Sequence, residues 1–216
     1  MTESEPAPDR TAGRAESHEP VRTRRRDPER TRQALLAAAL AEFAEKGLAG
    51  ARVDVIAERA GVNKQLISYH FGGKQGLYDA LLTRWQEQDD AITDPSVPLS
   101  EVAVAYLRAA CADPERVRFS VREALDGDPA RVEHDPDAPE VAHVRARQDA
   151  GEVTDLLDPA FVLMLLQGVV MSGTVFPVET VRLVGLHPGS PEHEAFVAEQ
   201  LRRLVTLLGP GSRHPS

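Results

Sequence analysis

Residues 57–74 have the sequence AERAGVNKQLISYHFGGK, and this stretch decides the fold of the chain. Gly61 can end a first short helix in the left-handed conformation because it has no Cβ atom. Asn63 can then cap a second helix by accepting a backbone N–H, while Ile67 and Phe71, four residues apart, direct one apolar stripe into the core. The stretch therefore predicts two short helices joined by a tight turn, which is a helix-turn-helix.

The second helix of this motif carries side chains that suit DNA. Lys64, Gln65, Ser68 and Tyr69 are predicted to face outward, as in a recognition helix that lies in the major groove. Lys64 has the geometry to donate to guanine and Gln65 to pair with adenine. Leu66 leaves two alternatives open, since it could contact a thymine methyl group or pack beside the first helix of the domain.

Further DNA contacts are expected beside the recognition helix. His70 is predicted to contact phosphate, the alternative being a packing role toward the fourth helix. Lys74 stands at the start of that helix, where a cation opposes the helix dipole unless a phosphate lies between the ammonium and the backbone N–H groups. The predicted DNA-binding residues are Arg52, Asn63, Lys64, Gln65, Ser68, Tyr69, His70 and Lys74.

The pattern continues on both sides of the motif, with RTRQALL at residues 30–36, FAEKG at 43–47, VDVIA at 53–57 and KQGLY at 74–78. Over roughly residues 28–82 the chain resembles the tetracycline-repressor (TetR) family of bacterial regulators. The resemblance implies an all-helical, homodimeric, ligand-responsive DNA-binding protein. Ser68 stands where the family commonly has Tyr, and Arg52 where a Thr often caps the second helix, so both positions bear on operator sequence and affinity.

Composition and charge fit this interpretation. With 42% hydrophobic but only 5% aromatic residues, the chain of 216 residues favours an all-α fold over a β-sandwich. The single cysteine, Cys111, excludes an internal disulfide framework and is expected to be a small packing residue. Residues 22–74 carry eleven Lys/Arg and six Asp/Glu, a formal charge of +5, so the rest of the −9 chain carries −14. One end can therefore meet phosphate while the other is repelled from it.

Composition shifts divide the chain into four predicted segments. They are a disordered, basic-ended arm (1–27), a helix-turn-helix DNA-binding domain (28–76), a helical effector-binding and dimerisation domain (77–208) and a flexible tail (209–216). Residues 94–98 should break the chain between its two helical parts. Helices are predicted at about 28–46, 53–60, 64–71, 75–91, 99–112, 114–126, 137–149, 159–176 and 191–208, with an acidic loop at 126–137. The basic residues 22–26 either enter the minor groove or add only nonspecific attraction.

The family resemblance also implies an effector pocket between the fourth and seventh helices. Each candidate for its wall could equally be an ordinary core residue. The candidates are Trp85, Tyr106, Leu107, Phe119 and Leu125.

The last two long predicted helices are expected to form the dimer interface. Gly168 and Ser172, four residues apart, offer a small face for close helix approach, and an apolar stripe follows on the final helix. Two helices from each subunit would make a four-helix bundle. The alternative is that these helices only complete the core of one chain. The predicted interface residues are Gly168, Ser172, Phe196, Leu201, Leu204, Val205 and Leu208.

Other classes of protein are disfavoured. Residues 160–178 are apolar, but Gln167, Ser172, Thr174 and Pro177 interrupt them, so a buried helix is expected rather than a membrane span. The chain starts without a secretory signal, which predicts a cytoplasmic location. We find no phosphate-binding glycine loop or nucleophile elbow, and so predict no enzyme and no cofactor.

A metal site is not expected either, because the histidines and aspartates between residues 134 and 143 match no ligand spacing. The sequence thus predicts a transcriptional repressor that binds a palindromic double-stranded DNA operator as a homodimer and responds to an unknown small-molecule effector. The alternative is an architectural or adaptor protein that binds DNA without an effector.

Overall fold

The computed structural model describes residues 27–209, of which 90 and 91 are described by their backbone alone. Within this range the chain forms ten α-helices and no β-strand, which confirms the predicted all-α class. The helices are α1 (Pro28–Gly50), α2 (Val53–Arg59), α3 (Gln65–Phe71), α4 (Lys74–Ile92), α5 (Leu99–Ala112), α6 (Pro114–Asp126), α7 (Pro139–Asp149), α8 (Pro159–Val175), α9 (Pro177–Val184) and α10 (Pro191–Leu207). The arm at residues 1–26 and the last residues, 210–216, lie outside the described part.

Helix α1 begins and bends where its sequence requires. The Asp27 carboxylate accepts a hydrogen bond from the Glu29 N–H, and Pro28 occupies the first turn, where its missing N–H costs nothing. Gly47 has φ +67° and interrupts the helical geometry, so the end predicted at Lys46 is the site of a kink and not of a final stop. A further short helical segment leads to Gly50.

Helix α9 was not predicted. Pro177 was interpreted only as an interruption of the apolar segment, but it is the first residue of a new helix that leaves α8 at 95°. Within residues 27–209 no single helix is long and apolar enough to cross a bilayer, and only the bent pair α8–α9 meets the length and composition criteria together. The acidic stretch at 126–137 is exposed and holds one 3-10 turn, Pro129–Arg131.

The buried side chains form two clusters. The first joins α1, α2, α3 and α4 and includes Phe119 from α6, and the second joins α5, α7, α8 and α10. Phe119 packs against the rings of Phe43, Tyr78 and Trp85 at centroid distances of 6.3, 5.4 and 4.9 Å. The Tyr78 hydroxyl also donates to the Glu123 carboxylate, and burial, together with that hydrogen bond, raises the pKa of the Tyr78 phenol. Helix α6 is therefore bound tightly to the N-terminal helices.

The predicted break at residues 94–98 is held in place by α7. Arg147 is only 8% exposed and donates to the carbonyls of Val97 and Asp94 at 2.8 and 3.4 Å. Its charge is compensated by Glu152 at 2.8 Å, whose other carboxylate oxygen accepts the first backbone N–H of α5, from Leu99, at 2.5 Å. The connection between α4 and α5 is thus a fixed element and not a loose linker.

Candidate nucleic-acid interface

The turn between α2 and α3 has the geometry predicted from the sequence. Gly61 adopts φ +64°, and the Val62 N–H returns to the Ala57 carbonyl at 3.0 Å. The Asn63 side chain accepts the Gln65 N–H at 2.8 Å, which is the predicted capping hydrogen bond, although Asn63 lies one residue before Lys64, the residue that directly precedes α3. Local hydrogen bonds therefore fix the angle at which the second helix leaves the first.

Helix α3 is anchored by its apolar face. Ile67 is fully buried, while Leu66 and Phe71 are partly buried against the first cluster. Arg32 of α1 lies over the Phe71 ring, 5.3 Å from its centroid, and so ties the end of α3 to α1. Of the two alternatives for Leu66, the structure supports packing.

The opposite face of α3 is exposed. Lys64, Gln65, Ser68 and Tyr69 all face solvent, and the Tyr69 side chain is 81% exposed. The Lys64 ammonium pairs with the Asp54 carboxylate of α2 at 3.2 Å. Both partners are well exposed, so this pair contributes little to stability and can exchange for a phosphate or base contact.

His70 lies beside this face. Its ring is half-buried and meets the Tyr69 ring edge-on at 5.0 Å, with the Phe71 ring at 6.2 Å. His70 therefore lies against Tyr69 at the edge of the exposed face. A phosphate contact by His70 stays a prediction.

Arg52 precedes α2 without a side-chain cap, as its departure from the family pattern suggested. Its backbone N–H instead donates to the Glu42 carboxylate of α1 at 3.3 Å. Glu42 is only 2% exposed and also faces the Arg59 guanidinium at 3.3 Å. Glu42 was not predicted as part of the site, although a glutamate seven positions after Leu35 on an apolar helix face was a usable signal.

Lys74 makes contacts within the chain that were not predicted from the sequence. Its ammonium donates to the carbonyls of Ala49 and Ala51, at 3.3 and 3.1 Å, in the segment that joins α1 to α2. These contacts explain a cation at the start of α4 without a phosphate, because backbone carbonyls at a helix end attract positive charge. Lys74 therefore clamps α4 to the α1–α2 connection.

Gly76, a second residue that was not predicted as important, sets the position of α3 against α4. Gly72 and Gly73 turn the chain with φ +74° and +127°, and Gly76 then passes the end of α3 very closely. A Cβ atom at Gly76 would lie 1.8 Å from the Phe71 carbonyl oxygen. Only glycine fits at that point of the first turn of α4.

The positive charge of the predicted DNA-binding region is unevenly placed. Residues 27–74 contain seven Lys/Arg and six Asp/Glu, a formal charge of +1, so four of the five excess charges belong to arginines at 22–26, outside the described residues. Lys46 and Arg59 are also paired with Glu45, at 2.7 and 3.0 Å. Residues 27–74 by themselves are therefore only weakly basic.

The five residues proposed for an effector pocket are not brought together. Trp85 and Phe119 pack on each other in the first cluster, and Leu107 belongs to the second. Tyr106 is half-buried on α5, and Leu125 is 77% exposed near the end of α6. Of the five, Trp85 lies on the wall of a cavity between α1 and α4.

The stripe predicted as a dimer interface on α10 belongs largely to the core of one chain. Leu201 and Val205 are 0% and 6% exposed in the second cluster, and Leu204 and Leu208 pack against it. Assigning Leu201 and Val205 to an interface was therefore wrong. The apolar face of α10 that they mark is turned toward its own protomer.

The other predicted interface residues lie on a second, outward face. Gly168 has no atom within 4 Å of the position of a Cβ, and Phe196 is 41% exposed. Ser172 is half-buried, and its hydroxyl donates to the Val169 carbonyl at 2.7 Å. Large apolar side chains that were not predicted for the interface are also exposed on α8, directly after it and on α10. These are Phe161, Met164, Val175, Phe176 and Leu207.

Models of known protein families match both halves of the chain. Residues 35–81 match the family model described as "Bacterial regulatory proteins, tetR family", and residues 98–203 match "Tetracyclin repressor-like, C-terminal domain". The chain is similar to the HTH-type transcriptional repressor SCO4008 of Streptomyces coelicolor, with 35% identity over 74% of this chain and 86% of the relative.

More distant similarities agree with these matches. The HTH-type transcriptional regulator RutR of Escherichia coli K12 is 28% identical over 81% of this chain and 78% of the relative. Among solved structures, the putative transcriptional regulator SCO4942 from Streptomyces coelicolor superposes with a TM-score of 0.64 at 27% identity, over 81% of this chain and 97% of that chain.

Proposed function

Because the chain belongs to the TetR family and is a DNA-binding transcriptional regulator, we propose that it is a repressor that binds a palindromic operator as a homodimer and releases it when a small molecule binds. The family is one of regulators and not of enzymes. The name "repressor" of the relative from Streptomyces coelicolor supports the sign of regulation proposed here.

One observation carries the proposal, the solvent-exposed polar face of α3. Its first residue, Gln65, is held in register by the Asn63 cap, and its buried face is fixed by Ile67. A rigid helix with exposed Lys64, Gln65 and Tyr69 suits insertion into the major groove. We assign base contacts to Lys64 and Gln65 and phosphate contact to Tyr69.

Dimerisation is supported by the outward faces of α8 and α10. Phe161, Met164 and Val175 fall on one side of α8 and are 54%, 68% and 39% exposed. Phe196 and Leu207, three helical turns apart on α10, are 41% and 68% exposed. A second copy of the chain that packs on these faces would bury them in a four-helix bundle.

Such a dimer explains how a ligand can control DNA binding. Two recognition helices bind one face of the duplex when their spacing matches roughly 34 Å, one turn of B-DNA. A ligand that favours another spacing needs a coupling free energy of only about 1–3 kcal/mol to release the operator measurably. Helix α4 is suited to transmit this change, since it starts at the Lys74 clamp and ends at the connection held by Arg147.

The proposal is tested by selecting DNA bound to the full chain from a random pool. We expect a palindrome to be enriched, and Gln65→Ala to relax preference at one symmetric pair of positions at a cost of about 1–3 kcal/mol. Tyr69→Phe is the matched control, because removing a hydroxyl that binds phosphate should weaken all sequences equally. Failure to enrich a palindrome would favour an architectural protein, and uniform weakening by Gln65→Ala would remove its base contact.

A further inference from the structure

Glu42 is a charged residue on the buried face of α1. It is only 2% exposed, and Ala38, Ala39 and Phe43 on the same helix are buried as well. A carboxylate is stable in such a place only when its charge is compensated and its oxygens accept hydrogen bonds. The partners of Glu42 therefore show which part of the fold depends on this charge.

The two carboxylate oxygens of Glu42 contact opposite ends of α2. Oε1 accepts the N–H of Arg52, the residue directly before α2, at 3.3 Å. Oε2 lies 3.3 Å from the guanidinium of Arg59, the last residue of α2. The seven residues of this helix span about 10 Å. One side chain of α1 thus holds α2 at two well-separated points.

Helix α2 depends on this contact because its own sequence lacks a cap. Arg52 makes no capping hydrogen bond with its side chain. Val55, the third residue of the helix, has no side-chain oxygen that could accept the Arg52 N–H as in a capping box. Glu42 supplies that acceptor from another helix. The start of α2 is therefore fixed by a tertiary contact, whereas α1 and α6 are capped by the aspartates that directly precede them.

Arg59 compensates the Glu42 charge and is itself already paired. Among residues 27–209 it is the only cation that pairs with the Glu42 carboxylate, and its guanidinium also pairs with Glu45 at 3.0 Å. If Arg59 turned to a DNA phosphate, the buried Glu42 carboxylate would lose its compensating charge, which is costly. We therefore expect Arg59 to stay on α1 when DNA binds, although it is a basic residue of the helix-turn-helix.

The position of α2 determines the position of the recognition helix α3. The turn between them is fixed by the hydrogen bond from the Val62 N–H to the Ala57 carbonyl at 3.0 Å, so the two short helices move together. Hydrogen bonds to base edges need donor–acceptor distances of about 2.7–3.2 Å, and a shift of about 1 Å breaks them. Phosphate contacts tolerate such a shift better, because they depend mainly on charge.

We propose that Glu42 is a positioning residue for operator recognition. It sets α2 against α1 and thereby places Lys64 and Gln65, at the start of α3, against the base edges. The inference rests on the repressor function proposed above. Because Glu42 is buried, it acts on DNA only through α2 and α3. Its loss should reduce the preference for the operator over other DNA, and not the affinity for DNA in general.

The test compares two substitutions of Glu42 in the full-length protein. Affinities for the selected operator and for a scrambled duplex are measured under conditions in which circular dichroism shows each variant to be folded. Glu42→Leu removes both contacts and should lower the ratio of operator affinity to scrambled-duplex affinity about tenfold, roughly the value of one base contact. Glu42→Gln keeps an oxygen for the Arg52 N–H and should lose less. An unchanged ratio in both variants would overturn the proposal.

Two controls separate positioning from stability and from charge. Val144→Ala removes buried volume from the second cluster and should lower the free energy of unfolding without changing the affinity ratio. Glu45→Gln removes the other carboxylate that faces Arg59 but leaves the contact with the Arg52 N–H in place, so it should also preserve the ratio. A loss in either control as large as that of Glu42→Leu would contradict the positioning role.

Arg59→Met gives an independent readout. It should lower the affinity ratio, because Glu42 loses its partner at the end of α2. The slope of log affinity for the scrambled duplex against log salt concentration should stay unchanged, since Arg59 is not expected to neutralise a phosphate. A slope flatter by about 0.9 per subunit would show that Arg59 binds phosphate, and would overturn its assignment to Glu42.

The wild-type protein separates this inference from the repressor function. If it prefers its palindrome and both Glu42 variants keep that preference, the positioning role fails and the repressor function stands. If it selects no palindrome, the repressor function itself fails, and the positioning role that rests on it fails too.

Discussion

Replacing Gly76 with alanine should destabilise the protein, although helix propensity predicts the opposite. Gly76 lies in the first turn of α4, where alanine is ordinarily favoured over glycine by about 1 kcal/mol. In the folded chain, however, the new Cβ would lie 1.8 Å from the Phe71 carbonyl oxygen. The two arguments give opposite signs, so the measurement separates local preference from tertiary packing.

The size of the effect follows from the distance. An ordinary contact of this kind is at least 3.4 Å, so the end of α3 and the start of α4 must separate by roughly 1.6 Å. Overpacking of well-packed positions costs about 1–3 kcal/mol. The upper part of that range, about 2–3 kcal/mol, applies here because both atoms belong to, or are bonded to, backbone that cannot rotate away. After subtracting the propensity gain we expect a net loss of about 1–2 kcal/mol.

The assay is urea unfolding at fixed protein concentration, followed by binding to the selected operator. Specific binding should weaken more than nonspecific binding, because base-edge hydrogen bonds do not survive a displacement of the recognition helix of more than 1 Å. Gln75→Ala, at the exposed neighbouring position, is the control and should change both quantities little. A Gly76→Ala protein as stable as wild type would show that the close approach to Phe71 is not present in solution.

Three further sets of substitutions test other parts of the structure. Met164→Glu should yield folded monomers in sedimentation, and a stable Met164→Glu dimer would place the interface elsewhere. Leu201→Ala should instead lower the free energy of unfolding by about 2–5 kcal/mol. Lys74→Ala should lower the free energy of unfolding without changing the salt dependence of DNA binding. Replacing the arginines at 22–26 with serine should flatten the slope of log affinity against log salt concentration by about 0.9 for each phosphate that is no longer neutralised. A flatter slope for Lys74→Ala and an unchanged slope for the serine variant would refute the clamp. Because burial lowers the pKa of His193, the unfolded chain binds its proton first. The free energy of unfolding should therefore fall by up to about 1.4 kcal/mol per pH unit as the pH drops below 6.5. A His193→Leu chain that keeps this slope would show that His193 is not its source.

The sequence by itself determined the helix-turn-helix, because its signals are local. The Gly61 turn, the Asn63 cap and the burial of Ile67 depend on residues a few positions apart, and all were predicted correctly. The same holds for α5 and α6, whose bounds match the prediction, because proline and aspartate mark their ends. Short-range hydrogen bonds and fixed proline geometry leave little for the rest of the chain to decide.

Residues whose role depends on contacts between distant parts of the chain could not be assigned in this way. Lys74 meets carbonyls more than twenty positions earlier, and the buried Glu42 is compensated by groups on α2. A lone lysine at a helix start and a lone glutamate on an apolar face have several physical explanations in sequence. The fold selects one of them by bringing particular partners within hydrogen-bond distance.

The exposed and buried faces of α10 also show what local sequence determines and what only the tertiary structure decides. Helical periodicity identified apolar positions on α10, but Leu201 and Phe196 are both apolar, and the sequence does not say which one packs inside the chain and which one faces outward. Tertiary structure decided this, because α5 and α8 already cover the side of α10 that carries Leu201. Local sequence sets what a helix can bury, whereas the arrangement of its neighbours sets what it does bury, since burial is a property of surfaces that meet in space.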